Sequence, residues 1–155
     1  MPTPGYTQGE FEVEFPSQYL AGTIEAGVNE VGETPSHNID INDAWEIHVN
    51  WQLTGQALGM VNGLWYVSAF MESIGGGSEF ALPDPVPNAI PLNPTNGQYS
   101  TLFSIPANAV TPTPPKTDIV YKLVVTVVYK DAAMKWGPIA GFVELPMLHF
   151  YEDLQ

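Results

Sequence analysis

Between Trp45 and Leu53 the chain alternates without a break, with Trp45, Ile47, Val49, Trp51 and Leu53 falling on one side and Glu46, His48, Asn50 and Gln52 on the other. A period of two is the signature of a strand with one buried and one wet face, and it cannot be reconciled with a helix. The same period recurs. Leu64–Glu72 sets Trp65, Val67, Ala69 and Met71 against Tyr66, Ser68 and Phe70. Tyr99, Thr101, Phe103 and Ile105 alternate with Ser100, Leu102 and Ser104, and Tyr121–Tyr129 aims Tyr121, Leu123, Val125, Val127 and Tyr129 one way. Shorter runs are predicted at 11–15, 20–26 and 79–82. A late run over 140–151 is bent or pushed to an edge by Pro146, which cannot donate to a ladder.

Both faces of 64–72 carry apolar mass, as does half of the second face of 121–129, so these two strands are expected mid-sheet or under cover. No window holds a helical stripe free of Gly or Pro. Asn62-Gly63, Asn96-Gly97 and the glycines at 75–77 read as turns. Two proline-rich stretches, 83–94 and 106–115, read as stiff connections from one sheet to the other. The expectation is a single antiparallel β-sandwich of seven or eight strands, immunoglobulin-like or jelly-roll-like, with a closed barrel as the alternative. Its boundaries are an N-terminal arm over 1–9 and the sandwich over 10–155.

Charge narrows the function. The first basic residue is Lys116, so residues 1–115 carry −12 and residues 116–155 only −1; there is no arginine. Such a surface repels phosphate backbones and anionic lipid and offers no guanidinium clamp for an anion. No nucleic acid partner is expected. No apolar run reaches the ~20 residues of a membrane helix, and residues 1–6 lack the basic and apolar regions of a cleavable signal, so no membrane insertion is expected. The absence of cysteine removes disulfides and thiol chemistry.

Candidate sites are few. Asp40, Asn42 and Asp43 place three oxygen-bearing side chains before the 45–53 strand, a donor set suited to calcium, and equally suited to a turn bonded to its own backbone. Glu46 and His48 share a strand face and could form an acid/base pair if a barrel turned that face inward. Their spacing of ~7 Å along the strand argues against a direct hydrogen bond. Among histidines 37, 48 and 149 none has another at zinc-ligand spacing. Tyr6 and Trp136 fall outside alternating runs and are candidates for ligand or interface contact. So is the 10–15 segment, with Phe11, Val13 and Phe15 on one face and Glu10, Glu12 and Glu14 on the other, suited to adding to a sheet edge of its own or of a neighbour.

The first expectation for function is therefore a non-enzymatic interaction or structural module, a subunit of a homo-oligomeric or filamentous assembly or an accessory surface protein. A carbohydrate- or small-ligand-binding sandwich, with or without calcium, is the second reading. A small barrel enzyme using Glu46 and His48 is the third. The uneven charge predicts salt-sensitive head-to-tail self-association.

Overall fold

A computed structural model describes residues 2–75, 77–93, 95–112 and 117–153. Its strands in chain order begin with β1 (Thr7–Gln8), β2 (Glu10–Val13), β3 (Ala21–Glu30), β4 (Asn38–Asp40), β5 (Trp45–Thr54) and β6 (Leu64–Ile74). They continue with β7 (Phe80–Ala81), β8 (Ala89–Pro91), β9 (Gln98–Ile105), β10 (Asp118–Lys130), β11 (Trp136–Glu144) and β12 (Leu148–Tyr151). The only helical element among the described residues is a single 3₁₀ turn at Leu58–Met60. No helix there is long and apolar enough to cross a membrane.

Two sheets pack face to face as a β-sandwich; the barrel alternative does not form. The smaller sheet runs β1-β3-β5-β9, every pair antiparallel. The larger is built on β10, which pairs along its length with β6 on one side. On its other side β10 pairs first with β12 and then with β11. The turn containing Pro146 splits the predicted 140–151 run into these two strands. β2 extends β11, while β7 and β8 line the far edge of β6. One pair departs from the antiparallel expectation: β4 lies parallel to β12, Ile39 opposite Phe150.

The inner faces are those the alternation selects. Trp45, Ile47, Val49, Trp51 and Leu53 of β5 are buried, as are Trp65, Val67, Ala69 and Met71 of β6 and Tyr121, Leu123, Val125 and Val127 of β10. Trp65 is the centre. Its ring meets Phe11 at 5.8 Å, Trp51 at 6.1 Å, Tyr99 at 5.6 Å and Tyr129 at 5.9 Å, all edge to face. Those partners come from both sheets, and each such pair is worth ~0.5–1.5 kcal/mol beyond the area it buries. The indole N–H groups of Trp51 and Trp65 have no protein partner, a cost of ~1–3 kcal/mol each that burial of two such large rings offsets. The cover expected over the second face of β6 and β10 is missing in part, because Phe70 stays exposed there.

Each open side of the sandwich is closed by an irregular segment. The proline-rich stretch after β7 hydrogen-bonds both sheets: the Leu82 N–H donates to Ala69 O (2.9 Å), and the Val86 N–H to Leu102 O (3.0 Å). This is the predicted sheet-to-sheet connection, although Pro94 within it lies outside the described residues. In the second such stretch, 113–116 likewise lie outside them. On the opposite side the chain itself changes sheets between β1 and β2. The hinge is Gly9, whose N–H donates to Ile24 O (2.9 Å) in the small sheet, while a Cβ added to it would fall 2.1 Å from Phe142 O in the large one.

Gly9→Ala should therefore force the crossing apart and destabilise the protein by ~1–3 kcal/mol, as overpacking does elsewhere. In a domain of this size that is a fall of roughly 3–10 °C in the melting temperature. Gly59→Ala, where an added Cβ meets nothing within 4 Å, should leave the melting curve unchanged in the same calorimetric experiment.

Candidate functional site

Three places on the molecule gather chemistry-bearing side chains: the outer face of the small sheet and the two ends of the sandwich. The sheet face comes first. Register sets its rows. Thr23, Gln52 and Gln98 lie side by side on β3, β5 and β9; next come Glu25, Asn50 and Ser100, then Gly27, His48 and Leu102, and last Asn29, Glu46 and Ser104. Glu46, His48, Asn50 and Gln52 are thus outward, as the alternation requires, and they look away from the core because the sheet does not close.

The arm over 2–9 folds back onto this face. β1 pairs with β3, Thr7 opposite Ala26 and Gln8 opposite Glu25, and the Thr3 N–H donates to Glu25 Oε1 (3.1 Å). The Tyr6 ring lies on Gly27, where an added Cβ would come within 2.3 Å of it, and is tilted against His48 at 6.4 Å. Burial, with Glu25 and Glu46 nearby, raises the Tyr6 hydroxyl above its ordinary range. Burial also acts to raise the Glu25 carboxyl, but hydrogen bonds from Thr3, Asn50 and Gln8 outweigh it and the net shift is downward. The spacing along the strand narrows at the side-chain tips: His48 Nε2 is 3.5 Å from Glu46 Oε1, an ion-pair distance longer than a well-formed hydrogen bond. Glu46 also accepts from Asn29 Nδ2 at 3.1 Å.

Between the arm and the loop at Asn96, the first two rows floor a cleft of about 700 Å³, walled by Pro2 and Gln8 on one side and Asn96 on the other. Glu46 and His48 do not line it. Gln98 and Ser100 belong to this site and were not singled out from the sequence. Their alternation was legible, but the register that sets them beside Gln52 and Asn50 was not.

At one end of the sandwich sits a group of carboxylates. Asp40 lies opposite Tyr151, and Tyr151 opposite Asp118. The Asp40 N–H donates to Glu30 Oε1 (3.3 Å), and Asp40 Oδ1 accepts from the Asn42 N–H (2.9 Å). The Asp40, Asn42 and Asp43 segment thus forms the self-bonded turn. Among the described residues no group of three or more His, Asp or Glu is arranged to hold a metal. Burial, the hydrogen bond shared with Asp43 and the charges of Asp43 and Asp40 raise Glu30 to about 7, with the Asp40 N–H alone acting downward. The Tyr151 hydroxyl is raised by burial and then by Glu30, Asp40, Asp153 and Asp43. His149 faces Asp118 (2.9 Å) and Asn38 (3.2 Å).

At the other end is the β10–β11 turn. Trp136 is 62% exposed and stands edge-on to Tyr66 at 5.9 Å. Lys130 Nζ lies 4.0 Å from the Trp136 ring centre and 4.7 Å from that of Tyr66. Met134 and Met60 are exposed, and Lys135 is in the turn. Of the other residues singled out, Phe11 and Val13 pack against the core, with Phe11 over Gly22 and Gly141. Phe15 follows β2 and is half exposed.

Comparison with protein-family models, with curated proteins and with solved structures finds no match to this chain.

The Glu30 shift gives a pH dependence with a definite sign. The folded carboxyl keeps its proton up to about 7, against 4.5 for the ordinary group, so between these values the folded state binds more protons than the unfolded one. Stability from this group is full below pH 4.5, declines as pH rises toward 7, and is flat above. Glu25 has the opposite sign, but its window lies below pH 4.5. Melting temperatures measured from pH 5 to 8 should fall with pH, and Glu30→Gln, which keeps both hydrogen bonds, should flatten the curve.

Proposed function

We propose that this protein is a non-enzymatic interaction module that associates with copies of itself end to end. The observation that carries the reading is the segregation of chemistry along β10. Its Asp118 end adjoins Glu30, Asp40 and Asp43, while its Lys130 end adjoins Lys135, Trp136 and Met134. Thirteen residues of strand separate these ends by roughly 40 Å. That exceeds a Debye length of ~8 Å at physiological salt several times over, so the two ends act as separate charge patches.

Of the described lysines, Lys122 is partly neutralised by Glu144 at 3.2 Å. Lys130 and Lys135 therefore supply the positive character of the far end, where Asp131, its carboxylate bonded to the Ala133 and Lys135 N–H groups, offsets one of the two and leaves the turn with one net positive charge. Trp136, Met134 and Met60 add exposed apolar area there, and aromatic and Met side chains beside a cation are what protein interfaces favour. A contact that joins unlike ends is heterologous; it makes a ring if the rotation closes and a filament if it does not. Within this chain the N-terminal segment is already paired, β1 on β3 and β2 on β11. The assembly reading thus rests on the ends of the sandwich instead.

Light scattering at rising protein concentration in ~20 mM salt should show mass growing beyond the monomer, and ~0.5 M salt should reverse it. Trp136→Ala and the pair Lys130→Glu and Lys135→Glu should each abolish the growth without lowering the melting temperature. A monomer at all concentrations in low salt overturns the proposal.

A further inference from the structure

We infer that the cleft on the small sheet is a binding site for a neutral polyhydroxylated ligand, a carbohydrate chain. The floor consists of two register rows, Thr23-Gln52-Gln98 and Glu25-Asn50-Ser100. Directly opposed residues on neighbouring strands hold their Cβ atoms ~5 Å apart, so the floor is a fixed lattice of amide and hydroxyl groups. Amides both donate and accept, as sugar hydroxyls do, and the match needs no net charge. Thr23, Gln52, Gln98 and Ser100 make no side-chain hydrogen bond to another described residue, which leaves their donors and acceptors directed at whatever enters.

The lining argues against other ligand classes. Among the described residues that line it none is basic, and Glu25 is held toward its ionised form by the Thr3, Asn50 and Gln8 hydrogen bonds. An anion would therefore meet repulsion that no described lining residue offsets. An apolar ligand would cover amides that lose water and gain no partner, at ~1–3 kcal/mol each. A metal ion would find one carboxylate, already accepting from Thr3 at 3.1 Å and Asn50 at 3.4 Å. The volume of about 700 Å³ is that of a small-molecule site. The cleft takes three consecutive residues from each of β3, β5 and β9, so it crosses the strands between the arm and Asn96, and this shape suits sugar units laid across them. Glu25, its oxygens already accepting from Thr3, Asn50 and Gln8, borders the floor as a fixed charge, and the sugar hydroxyls pair with the amides and hydroxyls of Gln52, Gln98, Thr23 and Ser100.

The test is titration of the full chain with neutral gluco-, manno-, xylo- and galacto-oligosaccharides of four to six units, followed by calorimetry, with sulfated oligosaccharides as the anionic control. At least one neutral oligomer should bind saturably. Gln52→Leu with Gln98→Leu should weaken it roughly tenfold or more, with the melting temperature kept. Trp136→Ala and ~0.5 M salt, which remove the end-to-end contact, should leave sugar binding intact, so this site and the assembly succeed or fail separately. The proposal is overturned if no neutral oligosaccharide binds up to about 10 mM, which corresponds to a negligible affinity. It is equally overturned if the glutamine pair can be replaced without effect, or if the sulfated control binds more tightly.

Discussion

Everything else in the sandwich hangs on the contact of Trp65 with the rings around it. Phe11, Trp51, Tyr99 and Tyr129 reach it from β2, β5, β9 and β10, so one side chain of the large sheet fixes the small sheet at the correct distance and angle. A second set, Trp45 with Phe150 at 5.3 Å and Phe150 with Tyr121 at 6.0 Å, repeats the arrangement nearer the acidic end. With no cysteine to staple the layers, these aromatic contacts and the aliphatic residues between them resist shear between the sheets. The outer faces are then released from any role in stability, and their polar residues become available for binding.

That division explains why the fold was far more legible in the sequence than the site. Burial writes itself into alternation, so the inner faces of β5, β6, β9 and β10 follow directly from residue order, and Asn62-Gly63 and Asn96-Gly97 mark turns where glycine takes positive φ (134° and 62°). Strands that carry too few residues to alternate, β1, β4 and β8, left no such trace. Their existence depends on partners far along the chain, as with the parallel pairing of β4 on β12. The cleft depends on register in the same way. Gln98 beside Gln52 is a fact of pairing, and nothing in either segment alone announces it. Glu46 and His48 show the converse, since spacing along a strand describes Cβ positions and long side chains close the gap.

Charge links the two functional surfaces. Near Tyr151, burial first, then the hydrogen bond with Asp43, and last the charges of Asp43 and Asp40 raise Glu30 to about 7. At the other end Lys130 is drawn onto the rings of Trp136 and Tyr66. In the proposed assembly this polarity orients neighbours before they touch.

The crossing at Gly9 has a kinetic side. β2 is among the first strands to be made, yet its partner is β11, Glu10 opposite Phe142. The strands β3, β5 and β9 of the small sheet are all complete by Ile105, before β10 and β11 exist. A growing chain therefore presents a complete set of small-sheet strands, Trp45, Trp51 and Phe103 included, while the large sheet has only β6 with β7 and β8, and β2 and β4 still lack their partners. Closure waits for β10 and β11, and only then do residues 10–13 gain their partner. One of the earliest strands synthesised is thus among the last to be secured, and the interval between is when this acidic chain depends on its own charge to stay apart from its neighbours.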